Sequence, residues 1–308
     1  MRINNLLNFR AAIFFYAFFC YLVIWPALSW AKTELSSNYL PWSYDGVASQ
    51  CPDIHSYLWV EHSLGAHCIR YFASTNLSHQ QTVIIQFYGD RDLASRTPTD
   101  EIKNNTLRAQ LSYAQRQSKR AADVPVVVMA RPGTYGSSGY HKDKRSELEF
   151  RPIYHALDNL KSRYGIKNFI LLGHSGGATV AAAMLTMGRD DILCAVMTSG
   201  TYDYLPRQAM RLMKRDRPLA FSKSIQRIAQ GYDPYFHVDE IKADPQRKIY
   251  IAGNPKDKNT PFDLQVAFAW RIQAQGHHAE IVEVPTQAPT YHDITGFKPL
   301  QLAASCVS

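Results

Sequence analysis

The sequence predicts an α/β sandwich: a mostly parallel central sheet with helices on both faces. Three observations carry this. Short runs recur that are apolar throughout, the pattern of strands buried on both faces. Most of them alternate with amphipathic stretches long enough to serve as crossover helices. The first two runs are joined too tightly for a crossover, so the sheet is expected to open with an antiparallel pair.

In order along the chain, SYLWVEH (Ser56–His62) and HCIRYFA (His67–Ala73) form that pair, with a turn at Leu64–Ala66. TVIIQFY (Thr82–Tyr88) is a continuous apolar strand ended by Gly89. A helix is expected from Asp100 to Arg120, then the strand PVVVMA (Pro125–Ala130), broken by the Pro- and Gly-bearing loop Arg131–Gly139. Phe150, Ile153, Leu157 and Leu160 stand at helical spacing and predict a helix over Glu147–Tyr164. FILLG (Phe169–Gly173) is the next strand, Gly176–Met187 the next helix, and ILCAVMTSG (Ile192–Gly200) a further strand. Thr201–Arg247, rich in helix formers and charge, reads as an inserted helical cap, 201–247. KIYIAG (Lys248–Gly253), a helix over Pro261–Gln275 and AEIVEVP (Ala279–Pro285) complete the pattern.

The N-terminal stretch stands apart. Arg2 and Arg10 precede an apolar segment, Ala11–Ala31, that exits through small residues. This reads as a secretory signal peptide over 1–31, leaving 32–308 as one domain in a secreted or periplasmic protein. The alternative is an uncleaved membrane anchor, the only route by which the sequence suggests a membrane partner. The chain has 308 residues and a formal charge of +8, or +6 without the two leader arginines. No Lys/Arg block stands out beyond Arg207–Arg217, so no nucleic-acid footprint is read.

Beyond Cys20, four cysteines remain: Cys51, Cys68, Cys194 and Cys306. Export permits disulfides. Cys51 and Cys68 flank one short segment, which favours Cys51–Cys68 with Cys194–Cys306; a buried free thiol at Cys194 is the alternative. No His/Cys cluster suggests a metal, and no cofactor is expected.

The chemistry centres on NFILLGHSGGATVAAAML, Asn168–Leu185. Gly173, Ser175 and Gly177 match Gly-x-Ser-x-Gly, between a buried strand and an Ala-rich helix. The flanking glycines let the backbone turn sharply and lift the serine hydroxyl from the turn. The helix N-terminus then aims its amides at developing negative charge. A glycine-rich turn with a capping serine is the bland alternative. A serine nucleophile needs a base, and the base an orienting acid. The loop after KIYIAG offers Asp257, with Asp203 after the preceding strand as a rival. The loop after AEIVEVP offers His292; His277 and His278 precede that strand and so belong to its other end. His174 reads as a neighbour within the turn. For the oxyanion, the Gly176 N–H is one expected donor, and the second is expected around Tyr88, Gly89 and Asp90.

Together these segments resemble the α/β-hydrolase superfamily over nearly the whole of 32–308. The C-terminal third, DPYFHVDEIKADPQRKIYIAGNPKDKNTPFDLQVAFAWRIQAQGHHAEIVEVP, is similar to the catalytic domain of the prolyl oligopeptidase family. That resemblance implies an oxyanion hydroxyl from Tyr88. It departs from the family in having Asp90 where a small residue is usual, an extra residue between Gly253 and Asp257, and no β-propeller. Arg131–Gly139 resembles a pocket-bordering loop of small-molecule α/β-hydrolases. The implied function is a serine hydrolase, esterase or peptidase, acting on a small-molecule ester or peptide through Ser175, Asp257 and His292. A catalytically silent binding domain of the same fold is the alternative. Oligomeric state and substrate stay open.

Overall fold

The computed structural model describes residues 39–52, 56–214, 231–294 and 298–307. The expected leader and the stretch 215–230 of the expected cap lie outside the described residues. One compact unit spans Pro41–Ser308; the other, Met1–Leu40, lies outside the described residues except at 39–40.

Eight strands form one sheet: β1 (Tyr57–His62), β2 (Gly65–Ala73), β3 (Thr82–Phe87), β4 (Val126–Met129), β5 (Asn168–His174), β6 (Ile192–Thr198), β7 (Lys248–Gly253) and β8 (Ala279–Glu283). Their order is β1-β2-β4-β3-β5-β6-β7-β8. β2 runs antiparallel to both β1 and β4, and every other pairing is parallel. The expected mixed sheet with an antiparallel opening is therefore what forms. Central strands are buried on both faces: all four residues of β4, and Phe169 through Gly173 of β5. This is why their sequences show apolar runs in place of alternation.

Among the described residues six α-helices accompany the sheet: α1 (Leu107–Arg120), α2 (Glu147–Tyr164), α3 (Gly176–Thr186), α4 (Tyr204–Met213), α5 (Phe262–Ala274) and α6 (Lys298–Ala304). α2 has the expected bounds; Phe150, Ile153, Leu157 and Leu160 turn inward, and Gly165 ends it with φ 72°. α1 starts later than Asp100. Thr106 caps it by accepting from the Ala109 N–H at 3.2 Å, and the residues before it form turns. α6 is a helix the sequence did not announce. The described part of the cap holds α4 and a 3-10 helix over Pro234–Glu240. Asp233 joins the two, accepting from the Tyr204 N–H at 2.8 Å and the Tyr235 N–H at 3.2 Å.

Disulfides link Cys51 to Cys68 and Cys194 to Cys306. The second fastens the segment after α6 to β6. Segment 41–46 clamps the Arg131–Gly139 loop through backbone bonds, Gly136 N–H to Pro41 at 2.8 Å and Gly139 N–H to Tyr44 at 2.7 Å. Among the described residues no helix is long and apolar enough to cross a membrane.

Candidate active site

The parallel strands end together: Phe87 pairs with Gly173, Thr198 with Ala252, and Gly253 with Glu283. Loops leaving these carboxyl ends converge on one place, as they do in open α/β sheets. At its centre β5 passes into α3 through Ser175, whose φ of 54° and ψ of −119° are unusual for a residue with a side chain. Two glycines make the turn possible. A Cβ on Gly173 would lie 2.2 Å from the Gly177 carbonyl oxygen, and one on Gly177 would lie 2.4 Å from that of Phe87. Strand and helix thus approach too closely for any larger residue.

Ser175 Oγ lies 3.0 Å from His292 Nε2. His292 Nδ1 lies 2.8 Å from Asp257 Oδ2. The structure therefore brings together all three residues expected from the sequence, from loops 82 and 35 residues apart. The rival Asp203 instead occupies the N-cap position of α4. His277 and His278 sit before β8, beside the amino end of β7, where the His278 carbonyl accepts from the Ile249 N–H.

Two residues not singled out from the sequence complete this arrangement. Thr260 donates its hydroxyl to Asp257 Oδ2 at 2.7 Å, and its N–H to Oδ1 at 2.9 Å; the Asn259 N–H reaches Oδ1 at 2.7 Å. Ser199 donates to the His292 carbonyl at 2.8 Å. Burial disfavours charge on Asp257, but His292 and then Thr260 outweigh it and hold the carboxyl below its ordinary value. The signal for Thr260 was Asp-Lys-Asn-Thr itself, since an aspartate readily accepts from amides two and three residues on. His174 lies beside His292, ring centroids 5.1 Å apart, with Nδ1 3.0 Å from Thr198 Oγ1. Burial and then His292 push its pKa down to about 4, so it is neutral at ordinary pH.

The loop after β3 packs directly on this centre: a Cβ on Gly89 would lie 3.2 Å from that of Ser175. Tyr88 turns its hydroxyl onto Gln110 Oε1 of α1, at 2.9 Å. The Asp90 carboxylate lies behind Gly176, where a Cβ would come within 2.0 Å of it. It binds Arg131 at 3.0 Å and Arg145 at 2.5 Å. Arg131, 2% exposed, also binds Glu149 at 2.5 Å, and Glu149 accepts from the Arg145 N–H at 2.7 Å. Burial opposes ionisation of Asp90, yet Arg145, Arg131 and Lys144 hold its carboxyl well below the usual range. The sequence reading missed this buried network.

A family model described as the alpha/beta hydrolase family matches residues 106–296. The chain belongs to this family. No curated protein sequence matches the hydrolase. Solved structures match its fold: an acylaminoacyl peptidase of Pyrococcus horikoshii (TM-score 0.52, 15% identity, 80% of this chain); the esterase PF2001 of Pyrococcus furiosus (0.55, 14%, 88%); and Est1E of Butyrivibrio proteoclasticus, bound to ferulic acid (0.52, 16%, 81%). The match takes in 39% of the peptidase chain, against 97% and 96% of the two esterases.

A cleft of about 590 Å³ opens over Ser175 of the hydrolase. Its walls come from the β3 loop, α1, Tyr135 of the 131–139 loop, the His292 loop and α6. Tyr88, Tyr113 and Tyr135 form an aromatic side, with Tyr88 5.3 Å from each of the other two. Among the described residues, none of 201–247 lines the cleft. No described cluster of His, Cys, Asp or Glu has the arrangement of a metal site.

Proposed function

We propose that this hydrolase cleaves an ester or amide bond through a covalent acyl-enzyme on Ser175. The observation that carries the reading is the unbroken chain from Ser175 Oγ through His292 to Asp257, at 3.0 and 2.8 Å. His292 takes the serine proton as Ser175 attacks the carbonyl, then returns it to the leaving group. Asp257 orients the ring and balances the imidazolium charge. His174, uncharged at working pH, adds no repulsion to that imidazolium. For the oxyanion, the reading uses the backbone N–H groups of Gly176 and Asp90. Gly176 opens α3, where amides lack helical partners. Tyr88 keeps its hydroxyl on Gln110, which supports Asp90 as the second donor.

The same reading places the mature protein in a secreted or periplasmic compartment, with 1–31 as its leader. Two disulfides support an oxidising environment. The segment 201–247 is read as a helical cap inserted within the domain 32–308. The fold likeness to an acylaminoacyl peptidase and to two esterases suits either an ester or an aminoacyl amide as substrate.

The test is labelling of the purified mature protein by a fluorophosphonate. Label is expected on the wild type, absent from Ser175→Ala and strongly slowed in His292→Ala. A folded wild type that takes no label rules the reading out. A finer test concerns Thr260. Thr260→Val removes a hydroxyl from the Asp257 carboxylate, and a hydrogen bond to a charged group contributes about 1.5–3 kcal/mol. If that bond holds the acid in place, kcat on an ester substrate falls roughly 10- to 100-fold with KM little changed. An unchanged kcat would remove Thr260 from the mechanism.

A further inference from the structure

Charge around the cleft is unbalanced. Arg91, Lys103, Arg116 and Arg120 all line it, and none forms an ion pair with a described residue. Arg116 and Arg120 stand one turn apart on α1, a like-charge spacing that costs a helix stability unless an anion relieves it. Two acidic residues also line the cleft. Asp90 is consumed by Arg131 and Arg145, and Asp293, its side chain 74% exposed, lies 3.7 Å from His174 Nε2. With His174 neutral, Asp293 is one free carboxylate against four free cations, so the net free charge facing a substrate is positive.

Arg91 is the best placed of the four. It follows Asp90 on the loop that packs against Ser175, and its own N–H donates to His141 Nε2 at 2.9 Å, which fixes the loop. Arg91 is half-buried, with its guanidinium 4.9 Å from the centre of the Tyr88 ring, and its field acts on Tyr113, Tyr135 and His174. Its Nε is buried without an acceptor. A buried donor left unsatisfied is costly, and a guanidinium fork matches carboxylate and phosphate oxygens.

We propose that the cleft selects substrates carrying an anionic group, carboxylate or phosphate, near the scissile bond, held by Arg91 with Arg116 and Arg120 at the rim. This rests on the serine-hydrolase reading. Low-dielectric walls of Tyr88, Tyr113 and Tyr135 strengthen the field felt by such a group. Ester or amide cleavage itself is unchanged: the anion contributes binding and orientation, and the acyl group still passes to Ser175 and then to water.

The experiment compares kcat/KM within matched esters. The 4-nitrophenyl monoester of hexanedioic acid against 4-nitrophenyl hexanoate places a carboxylate on the acyl side. The leaving-group side is probed by 4-acetoxybenzoate and 4-acetoxyphenyl phosphate against phenyl acetate. At least one anionic ester is expected to exceed its neutral partner by about tenfold or more, an advantage that Arg91→Gln cuts by about tenfold. Raising ionic strength from about 0.01 to about 1 M shortens the screening length from about 30 to about 3 Å, and shrinks the advantage further. Neutral partners preferred in every pair would overturn the proposal. So would an anionic preference that survives both Arg91→Gln and the double variant Arg116→Gln/Arg120→Gln. In both of those cases fluorophosphonate still labels Ser175. No labelling and no hydrolysis of any ester overturns the serine-hydrolase reading, and this proposal with it.

Discussion

Ser175→Ala is expected to lower kcat on any ester substrate by about a million-fold, and His292→Ala by a similar factor. The two losses do not add. A serine without a base is barely nucleophilic, and a base without the serine has nothing to activate, so the double variant should fall little below either single one. Asp257→Asn keeps the shape but allows the wrong imidazole tautomer, and its expected loss is about ten-thousandfold. Initial rates on an activated ester, with unfolding midpoints to show each variant folded, measure all four. A loss below about tenfold in Asp257→Asn would leave the acid's role to another group.

The second large effect is on stability. Arg131→Met removes one cation from between two carboxylates, the buried Glu149 and the partly buried Asp90, while its methylenes are replaced in volume. Asp90 keeps Arg145, but Glu149 loses its ion-pair partner, and removing one partner of a buried pair costs about 3–5 kcal/mol because the remaining charge is left uncompensated in the interior. Urea unfolding of wild type and variant reads this directly; a change under about 1 kcal/mol would class the network with surface ion pairs. The double variant Arg131→Met/Glu149→Gln should recover part of the loss. The pH dependence has a definite sign. Asp90 has its folded pKa depressed below the unfolded value of about 3.9, so its contribution is complete above that value. It disappears as the pH falls through the lower folded value. In Arg131→Met, with the depression reduced, the decline should start at the same unfolded value, be smaller and end at higher pH.

Much of the architecture was legible because the relevant signals are local. Strands buried on both faces announce themselves as apolar runs, and α2 is bounded by helical spacing and by Gly165. The turn at Ser175 was legible because its packing tolerates only glycine at positions 173 and 177. Asp257 and His292 were found from their places after strands, without any contact being visible. The misses share another character. The Asp90–Arg131–Glu149–Arg145 network depends on partners up to 55 residues apart, with no spacing rule to reveal them. α6 is seven residues long, too short for periodicity to speak. Asp100 seemed a helix start on composition, but the Thr106 hydroxyl decides where α1 begins. Of the described walls of the cleft, α1 and α6 supply two, and no periodicity in the sequence pointed to them as walls. The direction of the Tyr88 hydroxyl depends on Gln110, a partner 22 residues away.

The loop order carries a consequence in time. Ser175 is synthesised 117 residues before His292, the residue that would arm it. Beyond His292, Pro299 and Leu300 still have to arrive to close one wall, and Cys306 has to find Cys194 to hold that wall in place. On the proposed mechanism, a nascent chain therefore presents an unarmed serine in an open trough. Hydrolysis then switches on only when the C-terminal segment docks, so ribosome-bound chains are harmless to the esters around them. An appended segment that keeps Cys306 from reaching Cys194 should leave the serine intact and the protein idle.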